Sequence, residues 1–194
     1  MLELRVATTD PWVTAVLDGF NDFLLDHAAC ERKASANAIS LVTHYPDRRE
    51  LVRQMIELAR EELHHFQQVH RIVEERGLLL TRDRKDPYLN ALLKRVRRGH
   101  EDYFLDRLLV AGVVEARGCE RFGLIATAID KSGTDPKMAA FYANLTESEG
   151  RHRELFVDLA ELYFDKSAVS SRLSEWLDDE AQIVSELPIS AALH

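Results

Sequence analysis

A chain of 194 residues is long enough to bury one sizeable core and reads as a single domain, 1–194. Its net charge of −8 excludes a protein whose whole surface grips nucleic acid, and its two cysteines exclude a disulfide scaffold or a separate Cys-rich iron module. No apolar run is long enough to span a membrane, and Met1-Leu2-Glu3-Leu4-Arg5 lacks a signal-peptide pattern, so a cytoplasmic protein with no membrane partner is expected.

Helical periodicity dominates throughout, and Asp-Pro pairs supply an N-cap followed by a favoured first helical residue. After Asp10-Pro11, a helix is predicted over roughly 12–43. Its apolar stripe, Phe20, Leu24, Ala28, Ala34, Ala38 and Leu41, is interrupted by Glu31. A second helix is predicted over roughly 47–76, where Glu61-Glu62-Leu63-His64-His65 holds two overlapping Glu-x-x-His readings. Helical steps from Glu62 and His65 meet Met55, Leu58, Ala59, Val69, Ile72 and Val73; steps from Glu61 and His64 meet Gln54, Glu57 and Gln68. Glu62 and His65 therefore face inward, and Glu61 and His64 face outward or support the inner pair.

Between the halves lies a basic segment with Arg82, Arg84, Lys85, Lys94, Arg95, Arg97 and Arg98, containing a short helix near 88–97 after Asp86-Pro87. On composition alone it is a solvated surface; as an alternative, Lys94, Arg95, Arg97 and Arg98 face RNA, or RNA enters across another surface near Arg48, Arg49 and Arg53, which open the second helix. The third long helix, 100–131, carries Glu115 among Leu108, Ala111, Gly112, Cys119 and Phe122. The fourth, 136–165, carries Glu149 and His152 among Tyr142, Leu145, Phe156, Leu159 and Tyr163. A last helix, 169–186, is expected to pack on the outside through Leu173, Trp176, Leu177 and Ile183 or Val184. Four long helices without alternating stretches imply an all-α four-helix bundle with additional short and C-terminal helices.

The two halves repeat one set of ligand-type residues: Glu31 then Glu62 and His65, and Glu115 then Glu149 and His152. The intervals, 31 and 34 positions, suit one long helix plus a turn. A Glu and a His three apart share a helix face, and one Glu from each of two helices plus one Glu-x-x-His from each of two others is the donor set of carboxylate-bridged dinuclear bundles. Buried carboxylates are costly, and a bound cation offsets that cost. Cys30 and Cys119 stand near proposed ligands but read as small core residues. His27, His44, His70, His100 and His194 lack an acid at i−3 and read as structural or surface groups.

The words around these ligands resemble those of the bacterial tRNA 2-methylthio-N6-isopentenyladenosine hydroxylases: Glu31-Arg32-Lys33-Ala34, His44-Tyr45-Pro46, Leu58 through Phe66, Glu115-Ala116-Arg117-Gly118-Cys119-Glu120-Arg121-Phe122, and Phe141-Tyr142 through Ser148-Glu149-Gly150-Arg151-His152. That resemblance implies a ferritin-like fold and an O2-dependent di-iron monooxygenase that hydroxylates the isopentenyl side chain of the modified adenosine beside the anticodon. It implies two iron ions, tRNA as substrate and an external electron donor, a reductase or ferredoxin. Carried over by motif, Glu31 and Glu115 are terminal carboxylates, Glu62 and Glu149 bridging ones, and His65 and His152 supply one imidazole per ion; these six are the expected catalytic and metal residues. Ala111, Gly112, Gly118, Cys119 and Phe122 are expected to line the oxygen or isopentenyl pocket. Gly118 and Gly150 stand where Ser and Ala are expected in that family. The competing readings are a bacterioferritin-like ferroxidase, a manganese-catalase-type bundle and a plain helical scaffold; a monomer or small oligomer is the default.

Overall fold

The computed structural model describes residues 2–83 and 85–194. Arg84, part of the basic segment, lies outside the described residues. Among the described residues there are seven α-helices and no strand: α1 Asp10–Asp18, α2 Phe20–His44, α3 Arg49–Glu75, α4 Pro87–Leu93, α5 His100–Ser132, α6 Pro136–Tyr163 and α7 Lys166–Glu186. By contacts the chain divides into two compact units, one comprising Met1–Thr14, Lys85–Ile189 and His194, the other Ala15–Arg84 and Ser190–Leu193.

The second of these is built on the α2/α3 hairpin. α2 buries Phe23, Leu24, Ala28, Ala38 and Leu41, and α3 buries Leu51, Met55, Leu58, Val69 and Val73, each Leu, Met or Phe contributing roughly 1.5–3 kcal/mol. The predicted helix over 12–43 is divided at Gly19 into α1 and α2. The position is closely packed: a Cβ on Gly19 would stand 2.7 Å from the Ala191 Cβ, so glycine lets this turn approach the C-terminal segment. The hydrogen-bond ladder nevertheless continues through it, from Gly19 N to Ala15 O and from Phe23 N to Gly19 O, both 3.0 Å. α3 ends at a Schellman-type cap, with Gly77 at φ 68° and Leu78 N donating to Val73 O at 3.0 Å.

The other unit is built on the α5/α6 hairpin, with α4 and α7 packed on it. Gly133, left-handed at φ 64°, closes α5, and Asp135 opens α6 by accepting from Met138 N at 3.0 Å, with Pro136 first in the helix. Asp86 opens α4 in the same way through Leu89 N at 2.9 Å. α4 stops at Leu93 and not at 97, because Arg97 is drawn to α5: its backbone N–H and its guanidinium bond the buried Asp106. Small residues line the α5/α6 seam. A Cβ on Gly112 would meet the Phe156 Cβ at 3.3 Å and Arg153 O at 3.4 Å, and Gly150 faces the Cys119 Sγ at 3.8 Å.

α7 starts at Lys166, three residues before the expected 169, because Asp165 caps it through Ser167 N and Ala168 N. Trp176, Leu177 and Ile183 are buried as expected of a helix packing on a bundle. What sets its place is a charge network. Arg117, wholly buried on α5, grips Glu180 bidentately at 2.7 and 2.9 Å, while Tyr88 of α4 donates to Glu180 at 3.2 Å. Burial alone would discharge Arg117, but the Glu180 carboxylate outweighs it and holds the guanidinium pKa above its ordinary value.

Candidate metal centre

Each unit carries one triad of ligand-type side chains. In the α2/α3 unit these are Glu31, Glu62 and His65, all buried, with one ligand atom from each lying within 4.8 Å of the others. The His65 Nδ1 stands 3.6 Å from the Glu31 Oε2 and 3.7 Å from the Glu62 Oε2. Both separations are too long for good hydrogen bonds. They suit donors converging on a shared ion, since two atoms each about 2.1 Å from a cation and about 90–125° apart lie about 3.0–3.7 Å from one another.

In the α5/α6 unit the triad is Glu115, Glu149 and His152, again within 4.8 Å of one another, Glu115 half-buried and the other two buried. The His152 Nδ1 lies 3.1 Å from the Glu149 Oε2, one helical turn away. Two carboxylates and an imidazole in each triad form a hard-to-borderline donor set that fits a divalent first-row metal, and two buried carboxylates this close need positive charge between them.

The register expected on α3 holds: Glu62 is 1% and His65 6% exposed, whereas His64 is exposed and Glu61 only half-buried. One neighbour escaped the sequence reading. His27 is fully buried and its Nε2 lies 2.6 Å from the Glu31 Oε1. A search for acids three residues before each histidine misses it; an acid four residues after is the signal, since i and i+4 share a helix face.

Of the expected pocket residues, Ala111, Gly112, Gly118 and Phe122 are buried and Cys119 is half-buried. Gly112 faces α6 at close quarters, as described above, while a Cβ on Gly118 would meet no heavy atom within 4 Å. Phe122 packs against Tyr142 with ring centroids 5.6 Å apart. Burial pushes the Cys119 thiol above its ordinary pKa, and its S–H donates to Thr146 O at 3.3 Å. Both cysteines are free.

The basic segment divides in two. Arg95 bonds Asp179 at 2.6 Å and Gln182 at 3.3 Å on α7, and Arg97 bonds Asp106 and pairs with Asp102. Lys94 and Arg98 are exposed.

Residues 2–194 match the MiaE family, tRNA-(ms2io6A)-hydroxylase. The chain belongs to this family. It is 35% identical over 167 residues to the tRNA 2-(methylsulfanyl)-N(6)-isopentenyladenosine(37) hydroxylase of Pseudomonas putida, covering 86% of this chain and 79% of that one. To the enzyme of the same name from Salmonella typhimurium it is 30% identical over 159 residues, 82% of this chain and 56% of the other. Among solved structures it is similar to protein 43 with aldehyde deformylating oxygenase activity from Synechococcus, with a TM-score of 0.91, 31% identity and coverage of 98% and 94%. Membership makes the chain a tRNA hydroxylase, and the structural likeness establishes the ferritin-like all-α fold. No helix among the described residues is long and apolar enough to cross a membrane.

Proposed function

We propose that the whole chain works as one catalytic domain. Its two triads supply the ligands for a pair of iron ions, and its substrate is the isopentenyl side chain of 2-methylthio-N6-isopentenyladenosine in tRNA. The observation that carries this reading is the duplicated triad, Glu31/Glu62/His65 and Glu115/Glu149/His152, buried except for the half-buried Glu115, in a chain of the hydroxylase family. One oxygen atom of O2 enters a C–H bond and the other leaves as water, which consumes two electrons and two protons from outside. A bound di-iron pair supplies the O2 reduction; the electrons come from an external donor such as a reductase or ferredoxin.

The remaining steps belong to the protein. Glu31 and Glu115 would hold the ions as terminal carboxylates and Glu62 and Glu149 as shared ones, and each histidine would supply one imidazole. Carboxylates suit this task because they neutralise cations and accept hydrogen bonds from their surroundings without leaving the ion. Open space beside Gly118 on α5, one turn from Glu115, gives an apolar five-carbon arm room near the ligands. Exposed Lys94 and Arg98 position tRNA through phosphates, which fixes register without reading the base.

Deleting the encoding gene tests the assignment: tRNA from the deletion strain is expected to keep the unhydroxylated modified adenosine, and re-expression of the chain is expected to restore the hydroxylated one. A second reading, aldehyde deformylation, is favoured by the likeness to the Synechococcus protein. It requires release of formate from a fatty aldehyde by the iron-loaded chain, and it is discarded if the aldehyde is recovered intact while tRNA is oxidised.

A further inference from the structure

We infer that His27 is a positioning residue for the metal centre, which orients the Glu31 carboxylate through a buried hydrogen bond. The inference rests on the reading of Glu31 as a ligand and goes beyond it, since His27 belongs to neither triad. Its ring is wholly buried on α2, one turn before Glu31, and packs against Phe23 with centroids 5.9 Å apart. The Nε2 to Oε1 distance is 2.6 Å. An ionised carboxylate has no proton to give, so the contact requires the proton on the histidine Nε2.

The geometry divides the two oxygens of Glu31 between two tasks. Oε1 is engaged by His27, and Oε2 is the oxygen facing the His65 Nδ1 at 3.6 Å. With one oxygen held, the carboxylate presents the other to an ion in a single orientation, as a one-oxygen ligand; without that bond the group can rotate or chelate through both oxygens. Hydrogen bonds behind ligands of this kind are worth about 10–100-fold in metal affinity. The bond lies within one helix, so it forms as α2 forms and preorganises Glu31 before any ion arrives.

The test is a titration of the metal-free full chain with Co(II), read by calorimetry and by the visible absorption of the bound ion, alongside thermal melting. His27→Gln keeps an N–H donor of similar reach; His27→Phe and His27→Leu fill the space without one. Both apolar variants are expected to bind Co(II) about 10–100-fold more weakly and with an altered spectrum, Gln to stay within a factor of about three of the parent, and melting temperatures to remain close. Apolar variants that bind as the parent does overturn the inference, as does a Gln variant as weak as Phe and Leu. If Phe does not fold, Leu carries the comparison. A parent chain that binds no Co(II) at all overturns the metal-centre reading itself and this inference with it; a parent that binds while all three variants match it overturns only the role of His27.

Discussion

On α3, His64 and His65 are neighbours in sequence and opposites in environment, one exposed and one 6% exposed among carboxylates. His65→Ala is therefore expected to lose iron and the absorption of the oxidised bridged site, while His64→Ala keeps both; iron content per chain checks this, and the reverse result contradicts the register. Helical glycines separate in the same manner. Gly112→Ala places a Cβ 3.3 Å from the Phe156 Cβ, so α6 must give by a few tenths of an ångström, and the variant is expected to gain less stability in urea unfolding than a helical Gly→Ala change with open space beside it. Gly118→Ala and Gly150→Ala meet no such obstruction and are expected to stabilise the chain by about 0.5–1 kcal/mol in urea unfolding, because glycine inside a helix is the poorer choice. Gly118→Leu, filling the open space, is expected to impair hydroxylation while iron binding persists; unchanged turnover removes Gly118 from the pocket. Alternating burial made the ligands legible in the sequence, but the space beside each glycine depends on the partner helix and was not.

Between elements, the connection from α4 to α5 is held by charges that the sequence displayed only as a basic run. Asp106 is fully buried and receives Arg97, Arg172 and, at 3.4 Å, the Trp176 Nε1. Burial pushes its pKa up, but the bonds from Arg172 and Arg97 outweigh burial and bring it down to about 2. A folded pKa below the unfolded one contributes stability above the unfolded value, and that stability is lost as pH falls through the folded value. The shift from 3.8 to about 2 is worth about 2 kcal/mol. Asp106→Asn is thus expected to be destabilised near neutrality, with the difference from the parent shrinking between about pH 4 and pH 2 in pH-dependent denaturation; a difference independent of pH contradicts the network. Arg97→Ala, which loses Asp106, and Arg95→Ala, which loses Asp179 of α7, are expected to lower the melting temperature. Lys94→Ala and Arg98→Ala, whose side chains are exposed, are expected to leave melting unchanged and to make the salt dependence of tRNA binding shallower by about 0.7–0.9 per lost contact. Equal slopes in parent and variants place RNA on another face.

At the scale of the molecule, each long helix carries part of one duplicated donor set, and that duplication was the strongest signal in the sequence. Helix ends marked by Asp86-Pro87 and Asp135-Pro136 were legible because capping is local. The close approach at Gly19 was not, because its neighbour Ala191 is far away in the chain. Nor were the partners of Arg117, since the pairing with Glu180 spans 63 positions. The central claim is that this chain, with metal held by its six Glu and His ligands, hydroxylates a prenylated adenosine in tRNA. The most direct measurement is mass analysis of nucleosides from tRNA carrying the 2-methylthio-isopentenyl base, after incubation with O2, reductant and either the iron-loaded parent or its Glu149→Ala variant. The account predicts a nucleoside heavier by one oxygen atom with the parent and unchanged starting nucleoside with the variant. An iron-loaded parent that leaves the base untouched, or a variant that oxidises it as fast as the parent, would contradict it.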